Sequence, residues 1–210
     1  MNFILSIDDS YEVEQDIKKS RFITRIIPVH TEDDALKNLQ QICEIEARAT
    51  HNCFAYILGD QQNIQRASDN GEPSGTAGAP ILEVLKREHL TNVLVVVTRY
   101  FGGIKLGAGG LIRAYGSSTS LAVQDSKKIQ LVDQELLLIR IDYHNNNQLN
   151  YYLEQKKLTQ VQVEYTTQVA IEISVPKQNL RVTIEELTRL FNGNISFKKL
   201  GQHRVTLPYP

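Results

Sequence analysis

Two glycine-punctuated segments hold the residues best suited to chemistry. The first is Asp69-Asn70-Gly71-Glu72-Pro73-Ser74-Gly75-Thr76-Ala77-Gly78-Ala79-Pro80, which joins an expected strand to an expected helix. Gly75 and Gly78 let a backbone turn tightly or approach a ligand closely. Ser74 or Thr76 suits the helix cap. Asp69 and Glu72 then have two readings. They are acid/base or ligand carboxylates of a backbone-lined site, or they satisfy the amides of their own loop. The second segment runs from Thr98 to Tyr115. There a strand ends in glycines that lead into a helix N-terminus, whose free amides attract anions. Arg99, Lys105 and Arg113 are cations suited to phosphate. Gly102, Gly103, Gly107, Gly109 and Gly110 bring backbone close to a ligand or let the helix pack near a sheet. Tyr100, Phe101 and Tyr115 stack on bases or fill core, with core expected for Phe101. No GK[ST] follows at Walker spacing.

His51 has no His or Cys partner at metal-ligand spacing, so no zinc site is expected; it stands as a candidate ligand contact or a structural histidine. Cys53, just inside an expected strand, reads as a small core hydrophobe. Cys43 and Cys53 form no CxxC and no disulfide framework, which suits a reducing compartment. No GxSxG elbow is present.

These residues need elements to position them. Residues 11–29 read as extended, with Lys18, Lys19, Arg21 and Arg25 among the apolar positions. Thr31 is a suitable cap for a helix whose Ala35, Leu36, Leu39, Ile42 and Cys43 share one face. Strands are expected at 52–58 and 62–68, a helix at 77–89, and a buried central strand at Val93–Val97. A glycine loop over 102–110 and a helix to about 126 complete the first unit. Nine of the twelve glycines lie between Gly71 and Gly116, and residues 117–192 contain none. That shift suggests a second unit from about 131, with a boundary near 128–135. Its pattern is strand 137–143, helix 145–157, alternating strands at 161–165 and 169–175, a helix opened by Pro176 and a last strand within 194–207. The order βαββαβ is ferredoxin-like.

The 210 residues carry a formal net charge of −1, with 41% hydrophobic and 22% charged residues. These values are close to globular averages and exclude general disorder, collagen-like repeats and a coiled coil. The longest aliphatic run is Val93–Val97, so no membrane-spanning helix is expected. The opening residues carry no basic region before Asp8-Asp9, so no secretory leader is expected. With a charge near zero, nucleic-acid binding would need a local patch.

His51-Asn52-Cys53-Phe54-Ala55-Tyr56, the segment Asp69 to Gly78 and the segment Thr98 to Tyr115 together resemble the YigZ/IMPACT family. The likeness is dense over 15–125, and the later residues are similar to the C-terminal domain of bacterial members by pattern. Gly107-Ala108-Gly109-Gly110 also loosely resembles the glycine loop of GHMP kinases. One departure is Asn70, where family members commonly have Asp. The resemblance implies an α/β (α+β) chain. Residues 1–130 would form a domain like a small-subunit ribosomal protein domain and GHMP kinases. Residues 131–210 would form a ferredoxin-like domain like the last domain of elongation factor G. Eukaryotic members restrain an initiation-factor kinase pathway by binding a large ribosome-associated activator. They do so partly through a further N-terminal domain that these residues do not include.

The resulting expectation is a cytoplasmic protein that binds RNA or the ribosome, or a translation-factor partner, and modulates translation. No cofactor, metal or membrane is expected. The alternatives are an enzyme acting on a small phosphorylated ligand, with a pocket at Gly109, Arg113, His51 and Glu72, and a protein-interaction module.

Overall fold

The computed structural model describes residues 3–209; Met1, Asn2 and Pro210, the outermost residues of the two expected domains, lie outside the described residues. The chain is mixed α/β. It divides into two compact units, Phe3–Gln130 with Pro208 and Tyr209, and Leu131–Leu207. Among the described residues no helix is long and apolar enough to cross a membrane.

In the first unit the elements are β1 (Ile4–Ile7), β2 (Tyr11–Ile17), β3 (Ser20–Pro28), α1 (Glu32–Ile45), β4 (His51–Leu58), β5 (Ile64–Ser68), α2 (Gly78–Arg87), β6 (Val93–Tyr100) and α3 (Ala108–Asp125). Five strands form a sheet in the order β2-β3-β6-β4-β5. The period of two along β6 decides the layers. Val93, Val95 and Val97 join the core with Ile81, Val84 and Leu85 of α2 and with Leu111, Ala114 and Tyr115 of α3. Leu94 and Val96 point the other way and pack with Ala35 and Ile42 of α1. The extended stretch 11–29 is two strands. Lys18 and Lys19, at φ 46° and 64°, make the two-residue turn between them, the left-handed geometry that matches strand twist. At α1 the Thr31 hydroxyl accepts the Asp34 amide at 3.1 Å.

Strand direction gathers the candidate segments. β5 and β6 both run antiparallel to β4, so both finish where β4 begins, and His51 pairs with Arg99. β3 begins at the same end, with Arg21 opposite Tyr100.

The second unit contains most of β7 (Lys128–Ile141), then α4 (Asn146–Gln155), β8 (Thr159–Tyr165), β9 (Val169–Val175), α5 (Leu180–Leu190) and most of β10 (Ser196–Pro208). β7 lies between β10 and β9, with β8 outside β9, the ferredoxin-like arrangement. Leu137, Ile139, Val169, Ile171 and Ile173 pack against Leu149, Leu153, Leu187 and Phe191. Two details depart from the pattern. Pro176 precedes a short 3₁₀ turn, and α5 starts only at Leu180. The alternation in β8 does not mark a buried face. Val161, Val163 and Tyr165 are exposed, because β8 is an edge strand.

Candidate functional site

Asp69 organises the loop that follows β5. Its carboxylate accepts the amides of Gly75 at 2.8 Å, Ala77 at 2.9 Å and Gly78 at 2.8 Å. Burial works to raise its pKa, but the three amide bonds outweigh it and hold the carboxyl below its ordinary value. Asp69 therefore does what was expected of Ser74 or Thr76: it caps α2, which has no side-chain cap from its own N-cap residue, Ala77. Ser74 is exposed, and the Thr76 hydroxyl donates to the Pro73 carbonyl at 2.6 Å. Gly78 has to be glycine, since a Cβ there would lie 2.7 Å from the backbone of Ser68. Asn70, in the left-handed region at φ 42°, accepts the Asn52 amide through Oδ1 at 2.9 Å.

The loop so held places Glu72 in the interior. Its Oε1 accepts Arg99 Nη1 at 2.6 Å and the Tyr115 hydroxyl at 2.8 Å. Both side chains of the ion pair are at least nine-tenths buried. Breaking such a pair by removing one partner costs about 3–5 kcal/mol. Arg99 also donates to Ser20 Oγ at 3.2 Å, and its guanidinium lies 5.5 Å from the Phe22 ring centroid and 5.4 Å from that of Phe101. Its Nε–H is buried and, among the described residues, has no partner. Arg99 is thus no surface phosphate contact: Glu72 holds it inside. His51 Nδ1 lies 2.8 Å from the Asn70 carbonyl, an acceptor, so Nδ1 carries the proton. That bond turns Nε2 toward Glu72 Oε2, 3.8 Å away. Cys53 is buried under this network, its sulfur 2.9 Å from the Asp69 carbonyl and 3.4 Å from the Tyr115 hydroxyl. Burial pushes its thiol up to about 12, so it is inert as a nucleophile. Burial likewise raises the Tyr115 phenol, with Cys53 and Glu72 adding to the effect.

Tyr100, one residue on from Arg99, faces the other side of the sheet. Its hydroxyl donates to Glu46 Oε2 at 2.6 Å, so it does not join the other candidates. Of the two remaining aromatics, Phe101 departs from the expected core position, and Tyr115, open between base and core, is core. Phe101 is 46% exposed, and Tyr115 is fully buried and cannot stack on a base.

Outside the network lies a cavity of about 330 Å³ lined by Glu72, Arg99, Phe101, Lys105, Gly107 and Leu111 among others. Lys105 is exposed at its rim. Arg113 lines a neighbouring depression of about 380 Å³ with Lys18, Leu106 and Gly110. Leu106 is common to both walls. Arg113 folds back over the first turn of α3, with Nη1 3.8 Å from the point where a Cβ on Gly109 would sit. No side chain of its N-cap residue, Gly107, closes the N-terminus of α3. The loop reaches it by crossing the β2–β3 turn at Gly102, where a Cβ would fall 1.7 Å from the Lys19 carbonyl oxygen. Gly103 is exposed in the same loop.

That crossing adds Lys18 and Lys19 to the site, two residues whose sequence context marks only a basic strand. Among the described residues, Lys18, Lys19, Lys105 and Arg113 have no carboxylate partner. The arrangement is a buried, locked acid–base network beneath an exposed set of cations and open helix amides. Its surface chemistry is that of an anion-binding face. Among the described residues no group of three or more His, Cys, Asp or Glu side chains is placed to hold a metal.

The family model of the Impact N-terminal domain matches residues 18–123, which contain every candidate above. A domain of unknown function, DUF1949, matches 139–194. IMPACT family member YvyE of Bacillus subtilis is 41% identical over 197 residues, covering 92% of this chain and 89% of that protein. IMPACT family member YigZ of Escherichia coli is 30% identical, covering 87% and 91%. Protein IMPACT of Rattus norvegicus is 37% identical over 95 residues, which are 43% of this chain and 29% of that protein. A crystal structure of a hypothetical protein aligns with a TM-score of 0.61 at 28% identity, covering 94% of this chain and 97% of that one.

Proposed function

Since the chain belongs to the IMPACT family, we propose that it is an RNA-binding protein that acts at the ribosome and modulates translation. The observation that carries this reading is the set of four cations without carboxylate partners around the open N-terminus of α3, in a molecule whose net charge is only −1. Helix amides and cations that converge on exposed glycine backbone suit a string of phosphates. The ribosomal setting rests on the family resemblance. Arg99 and Glu72 support the face from beneath and do not touch RNA phosphate in this reading.

The test is co-sedimentation with ribosomes, and binding to ribosomal RNA, over a salt series. Each phosphate contact adds about 0.7 to the slope of log affinity against log salt for a single strand. Lys105→Gln and Arg113→Gln are each expected to weaken binding and to flatten the slope by that amount, with unchanged melting temperature. Unchanged slopes in both folded variants would overturn the reading. The cavity of about 330 Å³ favours a second one, an enzyme acting on a small phosphorylated ligand. Its signature would be turnover or tight binding of a phosphorylated metabolite that ignores RNA.

A further inference from the structure

We infer that the cavity beside the cationic face receives one unstacked base of the bound strand, which makes the protein selective for single-stranded over duplex RNA; this rests on the RNA-binding reading. In the cavity wall the Glu72 carboxylate and the Arg99 guanidinium are taken up by each other, and Lys105 stands at the rim. The phosphates are therefore left to the rim and the exposed cations. What remains suits a flat, uncharged ring with polar edges. Phe101 contributes an aromatic wall that is 46% exposed, unusual for a phenylalanine following a buried strand. Among the described residues Glu72 Oε2 meets His51 Nε2 at 3.8 Å, too long for a hydrogen bond, and so keeps acceptor capacity. A carboxylate acceptor beside an exposed aromatic ring suits the exocyclic amino edge of a nucleobase. The volume of about 330 Å³ lies at the lower end of the range for small-ligand sites. Lys105 and the α3 amides stand at the rim, where the phosphate attached to such a base would lie. A duplex hides its base faces in the stack and its edges in pairs, so only a single strand, loop or end supplies this group.

The experiment compares a ten-nucleotide single strand with a duplex of the same sequence, by fluorescence anisotropy, on the full chain. The single strand is expected to bind at least tenfold tighter. Phe101→Ala is expected to weaken single-strand binding by roughly 5- to 150-fold, the usual loss of one base–aromatic stack. Its salt slope should stay that of the wild type, since no phosphate contact is lost. This separates it from Lys105→Gln. The chain contains no tryptophan, so Phe101→Trp places one indole reporter at the site. Its emission should be quenched by the single strand and unaffected by the duplex. If the Ala variant melts early, the Trp variant carries the test alone. Equal affinity for strand and duplex, or an indole indifferent to bound single strand, would overturn the inference and leave RNA binding standing. Failure to bind either form would overturn both.

Discussion

Asp69 ties the stability of the site to pH. Its carboxylate accepts three backbone amides, and these hold its pKa below the unfolded value of about 3.9 despite the opposing effect of burial. A depressed carboxylate contributes its full stability above the unfolded pKa and loses it as pH falls through the folded one. Wild-type stability is therefore expected to decline below about pH 4 in part through this group. In Asp69→Asn the urea midpoint should be lower at pH 7 and should change less between pH 4 and the acid limit. Parallel pH profiles for the two proteins would show that the loop does not depend on the charge. Asn70, its neighbour, needs no charge. Its Oδ1 accepts one amide, from Asn52, a bond that an aspartate at this position would also make.

The loop at 101–107 and the β2–β3 turn act as one element, because Gly102 lies directly on the Lys19 carbonyl. Gly102→Ala would drive a Cβ into backbone, so one of the two segments has to move. The expected result is a loss of about 1–3 kcal/mol in thermal or denaturant unfolding, with RNA affinity reduced in the fraction still folded as Lys18 and Lys19 shift. A variant as stable as wild type would mean the crossing is loose. This dependence on contact between distant segments marks how far the sequence could be read. Period-two and helical patterns are local, and they revealed β6, α1, α3 and the βαββαβ order. The strand endings at Ser68 and Tyr100 and the glycines after them placed the two loops at one site. The burial of Arg99 could not be read that way. An arginine at a strand end beside glycines is exposed unless an acid and two rings close over it, and Glu72, Phe22 and Phe101 come from three separate elements. The same is true of Phe101 and Tyr115. Which aromatic is covered depends on where α3 lies, not on the residues beside it. In β8 the alternating residues were real, but an edge position left them exposed.

At the scale of the molecule, Lys18, Lys19, Lys105 and Arg113 lie at one end of the first unit of a chain with net charge −1, so the proposed RNA contact would be local, with little long-range attraction. The second unit begins at Leu131 and ends at Leu207, and Pro208 and Tyr209 group with the first unit. Tyr209 donates its amide to the Lys128 carbonyl at 3.2 Å, and its ring lies 5.9 Å from that of Phe3. A fragment ending at Gln130 is expected to melt cooperatively, yet at a lower temperature than the first unit of the full chain, because it lacks these partners. Removing residues 208–210 from the full chain should lower the same transition and leave that of Leu131–Leu207 in place. A first-unit transition indifferent to the deletion would mean that the tail only rests on the surface. The return of the tail also sets an order of events during synthesis. The ribosome delivers Phe3 early and Tyr209 only after residues 131–207, so the first unit waits, without the contacts of Tyr209 to Lys128 and Phe3, while the whole second unit is made. A C-terminal tag, or a stalled chain, would then be felt at the opposite end of the sequence, near Phe3.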